Sequence, residues 1–146
     1  MSKFALTRIW VGRILIGVVL FINIQSALAF FFNPGIYAPW YELHGAVGDA
    51  AIRGFGVLFL MWNIPYIVAL IHPQKYRISL IEALVMQTVG LLGESFILGT
   101  LPAENAILRG SIMRFIAFDG SGLVALILAT WITRKKKLTA LYSPNS

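Results

Sequence analysis

The stretch Arg109–Gly122, RGSIMRFIAFDGSG, decides how this chain is read. It opens the last long apolar segment and carries Arg114 and Asp119 into it. At 1.5 Å rise per residue, Asp119 falls roughly 15 Å along a helix from Arg109. If that helix crosses a bilayer, the aspartate lies close to the midplane. A bare charge there costs about 3 kcal/mol on insertion scales. Such a residue must be paired, neutralised or used.

The rest of the chain supports the bilayer. Of its 146 residues, 58% are hydrophobic and only 12% charged, with a mean hydropathy of +0.79. A soluble domain carries about 25% charged residues, so there is too little polar surface here to cover a globule in water. Apolar runs long enough to span recur, which predicts an integral membrane protein of one domain, residues 1–146. The absence of cysteine excludes disulfides, thiolate metal sites and CxxC redox chemistry. The net charge of +6 does not point to nucleic acid, because Arg134, Lys135, Lys136 and Lys137 directly follow an apolar segment. That is a juxtamembrane stop facing cytoplasm and anionic headgroups.

Working back from Arg109, four spans are expected, over residues 9–32, 50–71, 78–98 and 108–133. The first could be taken for a signal peptide with a cleavage site at Ala27-Leu28-Ala29. The apolar run continues through Phe30-Phe31-Phe32, however, so it is read as a transmembrane helix. Asn33-Pro34-Gly35 ends it. Residues 33–49 hold Trp40, Tyr41 and His44 but no lysine or arginine, and read as an interfacial or re-entrant loop on the outer side. Asp49 is the expected N-cap of the second span, and Pro65 its expected kink. Lys3, Arg8, Lys75, Arg77 and the basic tail 134–146 fall on one side of this topology. The positive-inside rule then puts both termini in the cytoplasm. The expected fold is all-α, an up-down four-helix bundle in the inner (plasma) membrane.

This topology brings polar residues of all four spans to similar depth. Asn23, Arg53, Gln87, Glu94, Arg114 and Asp119 are the candidates for a polar core or a ligand or proton site. Two arginines and two carboxylates sum to zero, so a charge-balanced clamp that fixes helix register is one expectation. A site with the clamp as its floor is the other. Arg13 and Glu82 form a second expected pair, nearer the inner side. Gly54-x-Gly56, Gly90-x-x-Gly93 and Gly120-x-Gly122 read as close-packing points. The many aromatic residues read as lipid-facing or interfacial. His44 and His72 fall on opposite sides and cannot bind one metal jointly. No nucleophile–base set, paired-histidine metal motif or phosphate loop is present, so no catalytic or metal residue is assigned.

The layout resembles the DoxX-like group of small four-helix membrane proteins. The similar features are Arg13-Ile14-Leu15-Ile16-Gly17, the Phe31-Phe32-Asn33-Pro34 exit, Arg53-Gly54-Phe55-Gly56 and the short basic turn around Pro73. The resemblance implies a four-helix membrane fold and, since members include subunits associated with quinone-linked oxidation, a bioenergetic setting. It carries no catalytic residue over. The leading expectation is a non-catalytic accessory or structural subunit of a larger membrane complex, with lipids and other membrane subunits as partners and no cofactor required. The alternative is a quinone- or lipid-binding protein or small transporter with a polar site between the helices. Quinone, lipid or pigment contact fits either. A membrane enzyme using Glu94 or Asp119 as acid or base is a third reading.

Overall fold

A computed structural model describes residues 3–134, and every regular element among them is helical. The long elements are α1 (Lys3–Phe32), α3 (Gly45–Trp62), α4 (Ile64–Ile71), α5 (Arg77–Thr100) and α6 (Ala106–Ile132); α2 (Pro34–Tyr37) is one turn, and Ala38–Tyr41 forms a 3-10 turn after it. Four stretches are long and apolar enough to cross a membrane: Leu6–Phe32, Gly45–Ile71, Arg77–Thr100 and Ala106–Ile132. Each is 24 or 27 residues long, beyond the about 20 that a bilayer requires. Large apolar side chains such as Phe21, Ile78, Phe96 and Trp131 are exposed on the outside. In water they would make an untenable apolar surface, and against lipid they are ordinary. The chain is a multi-pass membrane protein.

The elements end where local chemistry requires. Asn33 leaves helical geometry (φ −125°, ψ 50°) ahead of Pro34, as a residue before proline tends to do. Pro34 then starts α2, because its fixed φ suits a first helical position. The second span begins earlier than expected, at Gly45 rather than Ala50, so Asp49 lies inside α3 and caps nothing. His44 holds the N-cap position without a side-chain capping bond. The expected kink of this span is a break at Asn63, between α3 and α4. Pro65 has no N–H, and its ring crowds the carbonyl four residues back.

Packing follows from that break. α1 lies against α3, α4 and α6, while α5 lies against α4 and α6. The α3 and α5 backbones stay apart, with the Trp62 ring of α3 reaching toward Gly90 of α5. One apolar core joins Ile16, Val19 and Leu20 of α1 to Tyr66 and Ala69 of α4, Leu80 and Ala83 of α5, and Leu126 and Ala129 of α6. A second lies under the α2 and 3-10 turns, around Phe30, Ala38 and Ile52, with Tyr37, Tyr41, Phe59 and Phe115 against it. The rings of Phe30 and Phe59 stack at 5.9 Å, and Tyr41 and Phe115 close on Phe30 from other sides. These aromatic residues, expected at the lipid surface, are a core instead. The loop 33–49 folds onto the helix ends and gives them a shared interior face.

Each expected glycine pair contributes one close contact. A β-carbon at Gly56 would lie 2.7 Å from Ala27 O and 2.9 Å from Phe31 N, whereas Gly54 faces open space. Gly90 and Gly122 are likewise crowded, by Asp119 and Gln87, while Gly93 is open and Gly120 only grazes Leu91. Backbone atoms cannot yield as a side chain tip can, so Gly56→Ala is expected to destabilise by about 1–3 kcal/mol. Gly54→Ala should leave stability unchanged or slightly raised through helix propensity. Thermal scans of the purified variants in detergent check this: equal melting temperatures for the two would refute the α1–α3 backbone contact.

Candidate functional site

A polar layer separates the two apolar cores. It starts at the break. Asn63 N bonds to Leu60 O rather than continuing the α-helical pattern, which frees the carbonyl of Phe59. Asn63 Nδ2 donates to that carbonyl at 2.6 Å, and Asn63 Oδ1 accepts from Asn23 Nδ2 at 3.0 Å. The buried asparagine thus mends the helix that the proline interrupts and ties it to α1.

The layer continues through Gln87, which is 2% exposed. Its Oε1 accepts from the Tyr66 hydroxyl, and its Nε2 donates to Asp119 Oδ1 at 2.8 Å and, more weakly, to Asp119 O at 3.3 Å. Asp119 Oδ2 rests over Gly90, where any side chain would collide with it. Glu94, one turn beyond Gly90 on α5, lines the same cavity as Asp119. Glu94 Oε2 is buried with no partner. A cavity of about 80 Å³ opens onto this group, with Asn23, Ser26, Phe59, Trp62, Phe115 and Phe118 completing its wall. All four spans contribute to it.

The structure therefore unites Asn23, Gln87, Glu94 and Asp119 and leaves the arginines out. No ion pair joins Arg53 or Arg114 to either carboxylate, and the expected charge-balanced clamp does not form. Arg53 is exposed and donates to Phe31 O at 3.2 Å, at the end of α1. Arg114 is exposed, sits 4.5 Å over the Trp40 ring and donates to Ser111 Oγ at 2.9 Å. The pair Arg13 and Glu82 does not form either. Arg13 stacks on Trp10 at 4.4 Å, with its Nε buried and unpartnered. Glu82 is exposed in an open groove beside Pro65 and Met86.

The physical reason lies in the helix ends. The last four carbonyls of a helix have no partner within it and form the negative end of its dipole. Arg8 donates to Ile132 O, Arg77 to Thr130 O, and Arg109 to Leu98 O and Leu101 O, as Arg53 does to Phe31 O. Four arginines thus serve helix C-termini. Three interfacial residues singled out by sequence find structural uses or none. The Tyr41 ring seals the aromatic core. Trp40 supports Arg114 and accepts from Ser111 Oγ through its carbonyl at 2.7 Å. His44 is exposed. Among the described residues no cluster of three or more histidine, aspartate or glutamate side chains could hold a metal.

Sequence reading missed Asn63, Tyr66 and Glu42. Asn63 and Tyr66 carried a signal, since a polar residue two before a proline and a tyrosine one after it lie within an apolar span. Glu42 adopts a left-handed backbone (φ 57°) and accepts from Asn105 Nδ2 and from Leu108 N, in the first turn of α6. It thereby straps the loop to that helix N-terminus, where a carboxylate is favoured.

Comparison with protein-family models, with curated proteins and with solved structures finds no match to this chain.

Two predictions follow from the layer and its lid. Gln87→Leu strands the Tyr66 hydroxyl and the Asp119 carboxyl, at an expected cost of about 1–3 kcal/mol. Gln25→Leu, at an exposed position on α1, should cost nothing measurable, and equal losses in a detergent melt would contradict the bridging role. Tyr41 is held well above the ordinary tyrosine range, first by burial and then by the Glu94 carboxylate, with Arg114 partly opposing. The folded state keeps this proton where the unfolded chain would lose it. That contribution is intact below the ordinary tyrosine value of about 10 and drains away as pH rises past it. Alkaline unfolding followed by tryptophan fluorescence should be shallower above that pH in Tyr41→Phe than in the parent.

Proposed function

We propose that this protein binds a membrane amphiphile with a quinone-like head in the pocket between its four spans. The observation that carries the reading is Glu94 Oε2, buried without a partner beside Asp119. A purely structural layer would satisfy that atom, because an unpaired polar group in an apolar site is costly. Glu94 and Asp119 line the same small cavity, and a carboxyl group accepts hydrogen bonds when ionised and donates one when protonated. Such a pair offers a donor and an acceptor side by side. A quinone presents carbonyl acceptors, and its reduced form presents hydroxyl donors, so one site can hold either.

The pocket is sized for part of that ligand. The cavity of about 80 Å³ is smaller than the about 150 Å³ that encloses a benzene ring. It receives the polar edge of a head group, and the ring and tail remain between α3 and α5. The α3 and α5 backbones stay apart at that seam, and Phe59 and Trp62 face Gln87 and Glu94 across the pocket. The resemblance to a group that includes subunits of quinone-linked oxidation points the same way.

We place the chain as an up-down bundle in the inner membrane with both termini cytoplasmic. The support is the gathering of Arg8, Lys75, Arg77 and Arg134 at the end where Arg8 meets the last turn of α6, together with the positive-inside rule. The loop 33–49 and the site then lie toward the outer leaflet.

A short-tailed ubiquinone analogue tests the binding reading. Quinones quench indole fluorescence, and Trp62 lines the pocket. Saturable quenching is expected in the parent, weakened about tenfold or more in Glu94→Gln and Asp119→Asn. Glu82→Gln, outside the pocket, should bind as the parent does. Absence of saturable quenching, or one affinity across all four proteins, sinks the proposal.

A further inference from the structure

A second chamber adjoins the first, and its chemistry is of opposite sign. Its volume is about 210 Å³, and its wall includes Ser26, Tyr37, Trp40, Ser111 and Arg114. Phe115 and Phe118 border both chambers. Arg114 is the only charged residue that lines it.

Arg114, like Arg13, is not spent on a helix end, but unlike Arg13 it lines a chamber. Arg8, Arg53, Arg77 and Arg109 each reach a helix C-terminus. Among the described residues Arg114 has one hydrogen bond, to Ser111 Oγ. Ser111, 1% exposed, is itself anchored on Trp40 O, and the indole lies flat beneath the guanidinium. These contacts fix the group from one edge and one face. A guanidinium has five N–H donors, so most of its donors remain open to the chamber. An exposed lysine-like charge would wander; this one is held ready.

From this arrangement we infer that the chamber is a binding site for the phosphate of a net-anionic membrane phospholipid. Arginine matches phosphate oxygens with paired donors. Trp40 belongs to the 3-10 turn of the loop between two spans, and tryptophan is enriched where spans meet lipid headgroups. The aromatic wall of Phe30, Tyr37, Phe115 and Phe118 suits the first carbons of the chains. No carboxylate lines the chamber, so a choline or ethanolamine cation finds no ionic partner there. This site does not depend on the reading of the central pocket.

Native mass spectrometry decides it. The purified protein is equilibrated in detergent with equal amounts of dioleoyl phosphatidylglycerol and dioleoyl phosphatidylcholine. The parent should retain one phosphatidylglycerol preferentially. Arg114→Gln should bind it about tenfold more weakly, and Arg114→Lys should recover part of the loss. Glu94→Gln should retain it as the parent does, which separates this site from the central one. Trp40→Leu, which releases the guanidinium without removing its charge, should weaken retention severalfold and serves if Arg114→Gln fails to fold. Equal retention of the two lipids by the parent, undiminished retention in Arg114→Gln or Trp40→Leu, or displacement of the lipid by millimolar glycerol phosphate would each overturn the inference.

Discussion

Inside a bilayer no water is at hand to satisfy a polar group, and this one constraint orders the molecule. The unpaired carbonyls at helix ends are its first claim on the side chains. Arg8, Arg53, Arg77 and Arg109 answer it, each reaching from one helix to the C-terminus of another or across a loop. Glu42 does the complementary task at the N-terminus of α6. The charged residues are therefore distributed by helix polarity. Carboxylates deep in the spans are left to neutral donors: Gln87 for Asp119, and nothing for the outer oxygen of Glu94.

The same constraint explains how a broken helix is tolerated. A proline inside a helix costs roughly 3 kcal/mol, largely through lost backbone bonding. Here the freed carbonyl of Phe59 is met by Asn63 two residues before Pro65, and Asn63 is steadied by Asn23. The repair is local, but its result is not. Both halves of the second span lie against α1, but only α4 also packs along α5. The space this opens is where the polar layer sits, roofed by the Phe30–Phe59–Phe115 cluster and floored by the Tyr66 core.

Much of this was legible in residue order. Span length and hydropathy are one-dimensional properties, so four segments and their turns could be placed within a few residues, and Asn23, Gln87, Glu94 and Asp119 could be grouped by depth. Rotation about each helix axis could not. In water an amphipathic stripe marks the inward face, but lipid is as apolar as a core. Phe30 and Phe21 therefore look alike in sequence, although one is 4% and the other 69% exposed. The arginines defeated the reading for a related reason. Their partners are backbone carbonyls of other helices, and no side chain in the sequence advertises those. Gly54 and Gly56 show the limit at its finest, since only the contact with Ala27 and Phe31 distinguishes them.

Arg114 and Asp119 lie five residues apart on α6, which turns them roughly 140° from each other. That angle prevents the helix from neutralising its own carboxylate. Neither residue could swing to the other without crossing Phe115 and Phe118, which wall both chambers. α6 thus acts as a partition, with an acidic chamber toward α5 and a cationic one toward the loop. On separate sides of Phe115 and Phe118, Asp119 is met by the neutral donor Gln87 and Arg114 by Ser111 and the Trp40 ring. The register of RGSIMRFIAFDGSG is set by Gln87 and Gly90 on one side and by Ser111 and Trp40 on the other, and it keeps the carboxylate and the guanidinium apart.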